Sequence, residues 1–263
     1  MTTLETPVAS AHAAAPEVRL IHEADVNWAL AQGWKDFKAK RGDVIVLALI
    51  YPVVGLLAAA MAFNARLLPM IFPLVAGLSI MGPAVASGFY ELARRREARQ
   101  PSGWVHFLDP LGGRNRMGLA ALTAGLVVIF AAWLAAAWMI YAVTLSGYQP
   151  ASLGEFVTRV FSTPEGWSLI VVGMLVGFAF ACLTLTVTLA SFPMMVDKAT
   201  DPVTAISTSI RAVIKNPKVS ASWGLRVAAL LALGCLPLFI GLAVVLPVLG
   251  YASWHLYTRL VVR

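Results

Sequence analysis

Residues 166–196 read GWSLIVVGMLVGFAFACLTLTVTLASFPMMV, without a single Asp, Glu, Lys or Arg. An α-helix rises about 1.5 Å per residue, so roughly 20 apolar residues cross a hydrocarbon layer about 30 Å thick. This stretch is longer than that, which predicts a tilted or overhanging membrane helix. It lacks the period-two alternation of a membrane β-barrel strand. Four further charge-free runs accompany it: Val44–Ala65, Leu67–Tyr90, Met117–Gly154 and Val227–Thr258. Composition agrees, with 59% hydrophobic and only 13% charged residues in 263, where a soluble domain carries about 25% charge. A soluble globular protein is excluded. The expected fold class is all-α: a polytopic transmembrane helical bundle.

The runs resolve into spans at about 44–63, 67–92, 118–145 and 168–196. Ser146-Gly147-Tyr148-Gln149-Pro150 is a loop signal that closes the third. Residues 219–257 are too long for one helix, and Pro237 divides them into 219–236 and 238–257. That makes six spans in three hairpins. Basic residues test the count, because Lys and Arg concentrate on the cytoplasmic side. With the N-terminus inside, only Arg66 and Arg159 of the 20 Lys and Arg fall outside. Six spans with both termini cytoplasmic, in a bacterial cytoplasmic (inner) membrane, satisfy that asymmetry. The net charge of +7 therefore flanks spans and does not point to nucleic acid.

Residues 1–24 hold Glu5, Glu17 and Glu23 and no apolar core, so they are expected to be a flexible tail and not a signal peptide. Residues 25–263 form one domain. Two segments are expected to be amphipathic interfacial helices. The first, about 26–40, follows Asp25 as a cap and carries Leu30, Trp34 and Phe37 on one face. The second, about 202–215, is capped by Asp201, has Pro202 in its first turn, and ends at Asn216-Pro217. Its apolar stripe is Val203, Ile206, Ile210, Val213 and Ile214. Between them, Gly103–Pro110 is aromatic but broken by Gly and Pro. Trp34, Phe37, Trp104 and Trp254 are the expected interfacial anchors.

The spans carry few ionisable groups: Glu91 and Arg226 near span ends, and His255 near the inner end of the last. Proton relays and ion-coupled carriers place such groups near the midplane. No nucleophile–base pair, phosphate-binding glycine motif or paired carboxylates can be named. Cys182 and Cys235 sit in apolar runs and read as small packing residues. No catalytic residue, cofactor or metal is expected. What the spans do hold is small residues at spacing four: Gly173, Gly177 and Ala181, and again Ala84 and Gly88. Such faces let helices approach closely, either to each other or to a partner subunit. Arg94, Arg95, Arg96 and Arg99 fix topology and are candidates for anionic lipid.

Several segments carry a family resemblance: Ala31–Phe37 (AQGWKDF), Gly82-Pro83 leading to Gly88–Leu92 (GFYEL), Ser207–Pro217 (STSIRAVIKNP), Trp223-Gly224, and Leu236–Tyr257. Together they resemble a bacterial family of integral membrane proteins classed as domain of unknown function 2189. Some relatives carry the label of a cytochrome c oxidase subunit. A catalytic oxidase subunit needs several membrane histidines, and only His255 lies at membrane depth. What the resemblance implies is a non-catalytic accessory, assembly or scaffolding subunit of a larger membrane complex, a respiratory one included. Membrane lipids and a membrane-protein partner are the expected partners. The alternative is a small channel or facilitator for an uncharged or lipid-like solute.

Overall fold

The computed structural model describes residues 16–48, 69–146, 148–237 and 239–263. Among them every extended element is a helix: α1 Glu23–Ala48, α2 Ile71–Leu78, α3 Gly82–Glu97, α4 Asp109–Gly112, α5 Arg116–Thr144, α6 Leu153–Ser162, α7 Pro164–Thr188, α8 Ser191–Asp197, α9 Pro202–Lys215, α10 Pro217–Cys235 and α11 Leu242–Leu260. Among the described residues four stretches are long and apolar enough to cross a membrane: Ile71–Glu97, Arg116–Thr144, Pro164–Asp197 and Pro217–Cys235. Most of the expected span 44–63 lies outside the described residues. The expected span 238–257 is helical as α11 but is not one of the four. Its second half carries Trp254, His255, Tyr257 and Arg259, and its neighbours bury most of it.

Proline and its missing N–H set the internal breaks. Pro237 lies in a turn between α10 and α11, where Phe239 takes a left-handed φ of 65°; the division expected there is a turn and not a kink. Pro193 cannot bond back to the carbonyl of Leu189, and the long helix parts at Leu189-Ala190 between α7 and α8. Ser209 of α9 fills the breach: its Oγ donates to the Thr186 carbonyl at 2.8 Å and accepts from the Ala190 N–H at 3.1 Å. A broken helix inside an apolar bundle is tolerated when a neighbouring hydroxyl satisfies the freed backbone groups.

The caps on α9 form as the sequence demands. Asp201 accepts from the Thr204 N–H at 2.9 Å, with Pro202 in the first turn and Asn216 closing the helix before Pro217. Ile206 and Val213 of the expected apolar stripe pack against the core, but the most buried positions are smaller. Ala205, Thr208, Ser209 and Ala212 face inward, while Val203 and Ile214 are exposed. Small residues let α9 sit close enough for Ser209 to reach the break; a stripe of Val and Ile would hold it away.

Two expectations at the N-terminus need correction. The tail does not extend to residue 24. Val18 and Ile21 are buried, Arg19 N–H bonds the Leu260 carbonyl at 2.7 Å, and Val262 N–H bonds Glu17 at 3.0 Å. Asn216 ties the same strand down, accepting from Ile21 N–H at 2.8 Å and donating to the Arg19 carbonyl at 3.0 Å. The segment 26–40 is not a separate helix either, because α1 runs unbroken to Ala48. Its buried stripe is Val26, Ala29, Gly33 and Phe37, so Trp34 is displaced to the exposed side. The cause is Gly33. A Cβ there would lie 2.7 Å from Ala252 N and from Val248 O, so the backbones of α1 and α11 cross where no side chain fits.

Between the third and fourth expected spans lies α6, capped by Ser152, whose Oγ accepts from Glu155 N–H at 3.2 Å. Leu153, Val157 and Phe161 recur every four residues along it, and all three are exposed.

Candidate functional site at the charged end of the bundle

The ends of α3, α8 and α11 and the middle of α1 meet at one end of the bundle, bringing acidic and basic residues from across the chain into contact. Asp36 is 7% exposed. Its carboxylate meets His255 Nε2 at 2.7 Å and Arg96 Nε at 3.1 Å. Trp28 lies edge-on to His255, and Arg259 stacks over Trp28 at 4.1 Å. Glu91, 5% exposed, accepts from Arg94 at 2.7 and 2.8 Å and from Arg95 at 2.7 Å. Arg95 continues to Asp109 at 2.6 Å, which also meets His106 Nδ1 at 3.0 Å. A buried carboxylate is costly unless paired and hydrogen-bonded. Both buried carboxylates meet that condition.

A second clasp joins α8 to the C-terminus. Asp197 accepts from Tyr257 Oη at 2.9 Å and from Arg263 at 2.9 and 3.0 Å. Arg263 also bonds Glu97 at 2.6 Å and stacks on Trp254, whose Nε1 donates to Glu97 at 3.2 Å. Burial works against the Arg263 cation, but the bonds and charge of Asp197 and Glu97 outweigh it and raise its pKa. Nearer α10, Glu23 accepts from Arg226 at 2.9 Å and Ser222 at 3.0 Å.

These contacts change the reading of the expected residues. Arg94, Arg95 and Arg96 are spent on carboxylates of their own chain, whereas Arg99 is exposed with a φ of 56°. As free cations for anionic lipid, the first three are corrected. Trp254 is fully buried and Phe37 is 5% exposed, so neither reaches a headgroup. Both are enclosed because α1 and α11 close so tightly. Trp34, stacked on Phe37 at 5.6 Å, and Trp104 are exposed. Among the small residues, Gly88 is packed by the Phe107 ring, and Ala84 lies partly buried against the core. Gly177 meets only the Trp133 ring, nothing within 4 Å would meet a Cβ on Gly173, and Ala181 is exposed. Among the described residues the face 173–177–181 is thus not a backbone crossing. The crossing is at Gly33 and Ala252.

Sequence reading missed the acidic half of the network: Asp36, Glu97, Asp109 and Asp197. Local signal existed for Glu91, which precedes Arg94 and Arg95 by three and four residues, the spacing of helical ion pairs. Asp36 and His255, 219 positions apart, left no such signal. Among the described residues no group of three or more His, Cys, Asp or Glu could hold a metal ion.

Between α3, α4, the start of α5 and the end of α8 lies an open cleft of about 580 Å³. Its polar wall includes Arg94, Arg95, Arg114 and Lys198, and its apolar wall Leu108, Leu119 and Met195. Asn115, which begins α5, does not cap it; its amide donates instead to the carbonyls of Met195, at 2.7 Å, and Lys198.

No curated protein and no solved structure matches the chain. Residues 70–197 match a family model described as predicted integral membrane protein (DUF2189). That stretch runs from α2 through the break at Pro193 to Asp197, and so includes Glu91, the arginines of α3 and most of the cleft. Over residues 70–197 the chain is similar to this family of predicted integral membrane proteins of unknown function.

Proposed function

We propose that the protein is a non-catalytic accessory, assembly or scaffolding subunit of a larger membrane complex, a respiratory complex being the first candidate. In this reading it sits in a bacterial inner membrane with six spans and both termini in the cytoplasm. The charged end described above is then the cytoplasmic end, in keeping with the distribution of Lys and Arg. Exposed Trp104, Val105, Leu108, Leu111, Val203 and Ile214 gather near that end, as interfacial segments require.

One observation carries the scaffolding role. In the stretch Pro164–Asp197 only 6% of the most apolar window is buried within the chain. On that helix Gly173 opens onto empty space and Ala181 is exposed. A small-residue face that no helix among the described residues covers suits a second protein's helix, because small residues let backbones close.

Affinity purification of the tagged full-length protein in mild detergent is the test. The expected result is a stoichiometric membrane-protein partner that is lost in Gly173→Leu, while that variant's own melting is unchanged. Recovery as a lone species, or undiminished partner recovery with Gly173→Leu, overturns the reading.

A further inference from the structure

The cleft at the charged end has walls of two kinds and a charge balance that its own ion pairs leave incomplete. Each carboxylate in its lining is already answered by protein donors: Glu91 by Arg94 and Arg95, Asp109 by Arg95 and His106, Asp197 by Arg263 and Tyr257. Arg95 is used up, with its third bond going to the Pro101 carbonyl at 3.3 Å. Two cations in the lining make no ion pair among the described residues. Arg114 is exposed at the rim, and Lys198 donates only to the Val262 carbonyl at 2.9 Å.

Backbone polarity in the same wall has the same sign. No side chain caps α5, a 29-residue helix; its Arg116 N–H is taken by the Gly113 carbonyl at 3.1 Å, and the positive end of the helix dipole lies beside Asn115 in the lining. The carbonyls of Met195 and Lys198, which would repel an anion, are consumed by the Asn115 amide. Opposite these donors stand Leu108, Leu119 and Met195, with Leu108 60% exposed. A cation site would need free carboxylate oxygens. This cleft offers free donors beside apolar surface.

We propose that the cleft binds a phosphate-bearing anion, with Arg114 and Lys198 holding the phosphate oxygens beside the N-terminal end of α5. The same chemistry is presented by the headgroup of an anionic phospholipid and by free phosphate. With a lipid, the acyl chains run over Leu108 and Leu119 toward the exposed apolar surface of Leu111 and Met117.

The test uses the full-length protein in detergent, titrated with micelles doped with phosphatidylglycerol, with phosphatidylcholine, or with inorganic phosphate, binding being followed as the rise in melting temperature. Phosphatidylglycerol is expected to stabilise the wild type, and Arg114→Gln with Lys198→Gln to weaken its apparent affinity by about tenfold or more, the loss of a charge-assisted bond. Lys218→Gln, which removes an exposed cation on α10 outside the cleft, is expected to bind as wild type. Lys198→Gln keeps a donor for Val262, so the double variant's melting without lipid reports whether its fold is retained. Stabilisation by the lipid alone identifies a headgroup site. Stabilisation by millimolar phosphate, competing with the lipid, identifies a soluble phosphate and also supports the site. Equal titrations for the wild type and the double variant, or equal responses to phosphatidylcholine and phosphatidylglycerol, overturn it.

Discussion

The crossing of α1 with α11 and the long helix α7 are built from the same small residues and do opposite things with them. At Gly33 the partner backbone lies so close that a Cβ would fall 2.7 Å from Ala252 N, and the surrounding Val26, Ala29, Trp254 and Tyr257 are fully buried. At Gly173 a Cβ would meet nothing within 4 Å. Spacing alone ranked the second face above the first. The difference teaches that a small residue marks a close approach only where the neighbouring helix also brings polar groups that fix its register. Asp36, one turn beyond Gly33, has His255 and Arg96 to bond; α7 from Gly173 to Ala181 carries no ionisable side chain.

The contrast can be broken by substitution, with thermal unfolding in detergent, followed by fluorescence of the eight tryptophans, as the measurement. Trp254→Ala is expected to have the largest effect, about 3–5 kcal/mol, because it empties a fully enclosed site. It also removes the ring against Arg263 and the bond to Glu97. Gly33→Leu comes next, at about 3 kcal/mol, because the atoms it strikes are backbone and cannot turn aside. Ser209→Ala is expected to cost about 1–3 kcal/mol, since it leaves the buried Ala190 N–H without its acceptor. Gly173→Leu, by contrast, should stay within about 0.5 kcal/mol of wild type. If Gly173→Leu destabilises the isolated protein as much as Gly33→Leu, the comparison fails.

A smaller effect sharpens the account of α9. Hydrogen bonds from Thr204 hold the Asp201 carboxyl below its ordinary pKa. A depressed carboxylate pKa means the cap contributes fully above the ordinary carboxylate range and loses its contribution as pH falls through the lowered value. Asp201→Asn, which keeps an acceptor oxygen, should show little of that acid-side loss. Equal acid sensitivity in wild type and variant would assign the titration to another group.

Much of the fold is legible along the chain because the signals are local. The charge-free runs, the cap at Asp201, the stop at Asn216-Pro217 and the turn at Pro237 each depend on a few neighbouring residues. The amphipathic pattern of α9 is real but answers to lipid or solvent as readily as to a core. Exposed Val203 and Ile214 illustrate the ambiguity, and only Ser209 reaching the broken helix resolves it. The arginines of α3 were misread for a related reason: a run of positive charge says nothing of which carboxylates a distant helix will bring.

By itself the sequence determined that this chain lives in a membrane, where α9 starts and stops, and that the chain turns at Pro237. These follow from hydropathy, proline and capping, which sum over short windows. Tertiary structure alone decided that Gly33 and not Gly173 is the crossing point, that Trp254 is core, and that Asp36 joins His255 across 219 positions. Those outcomes depend on the register between helices far apart in the chain, and register is set by shape and charge meeting in space.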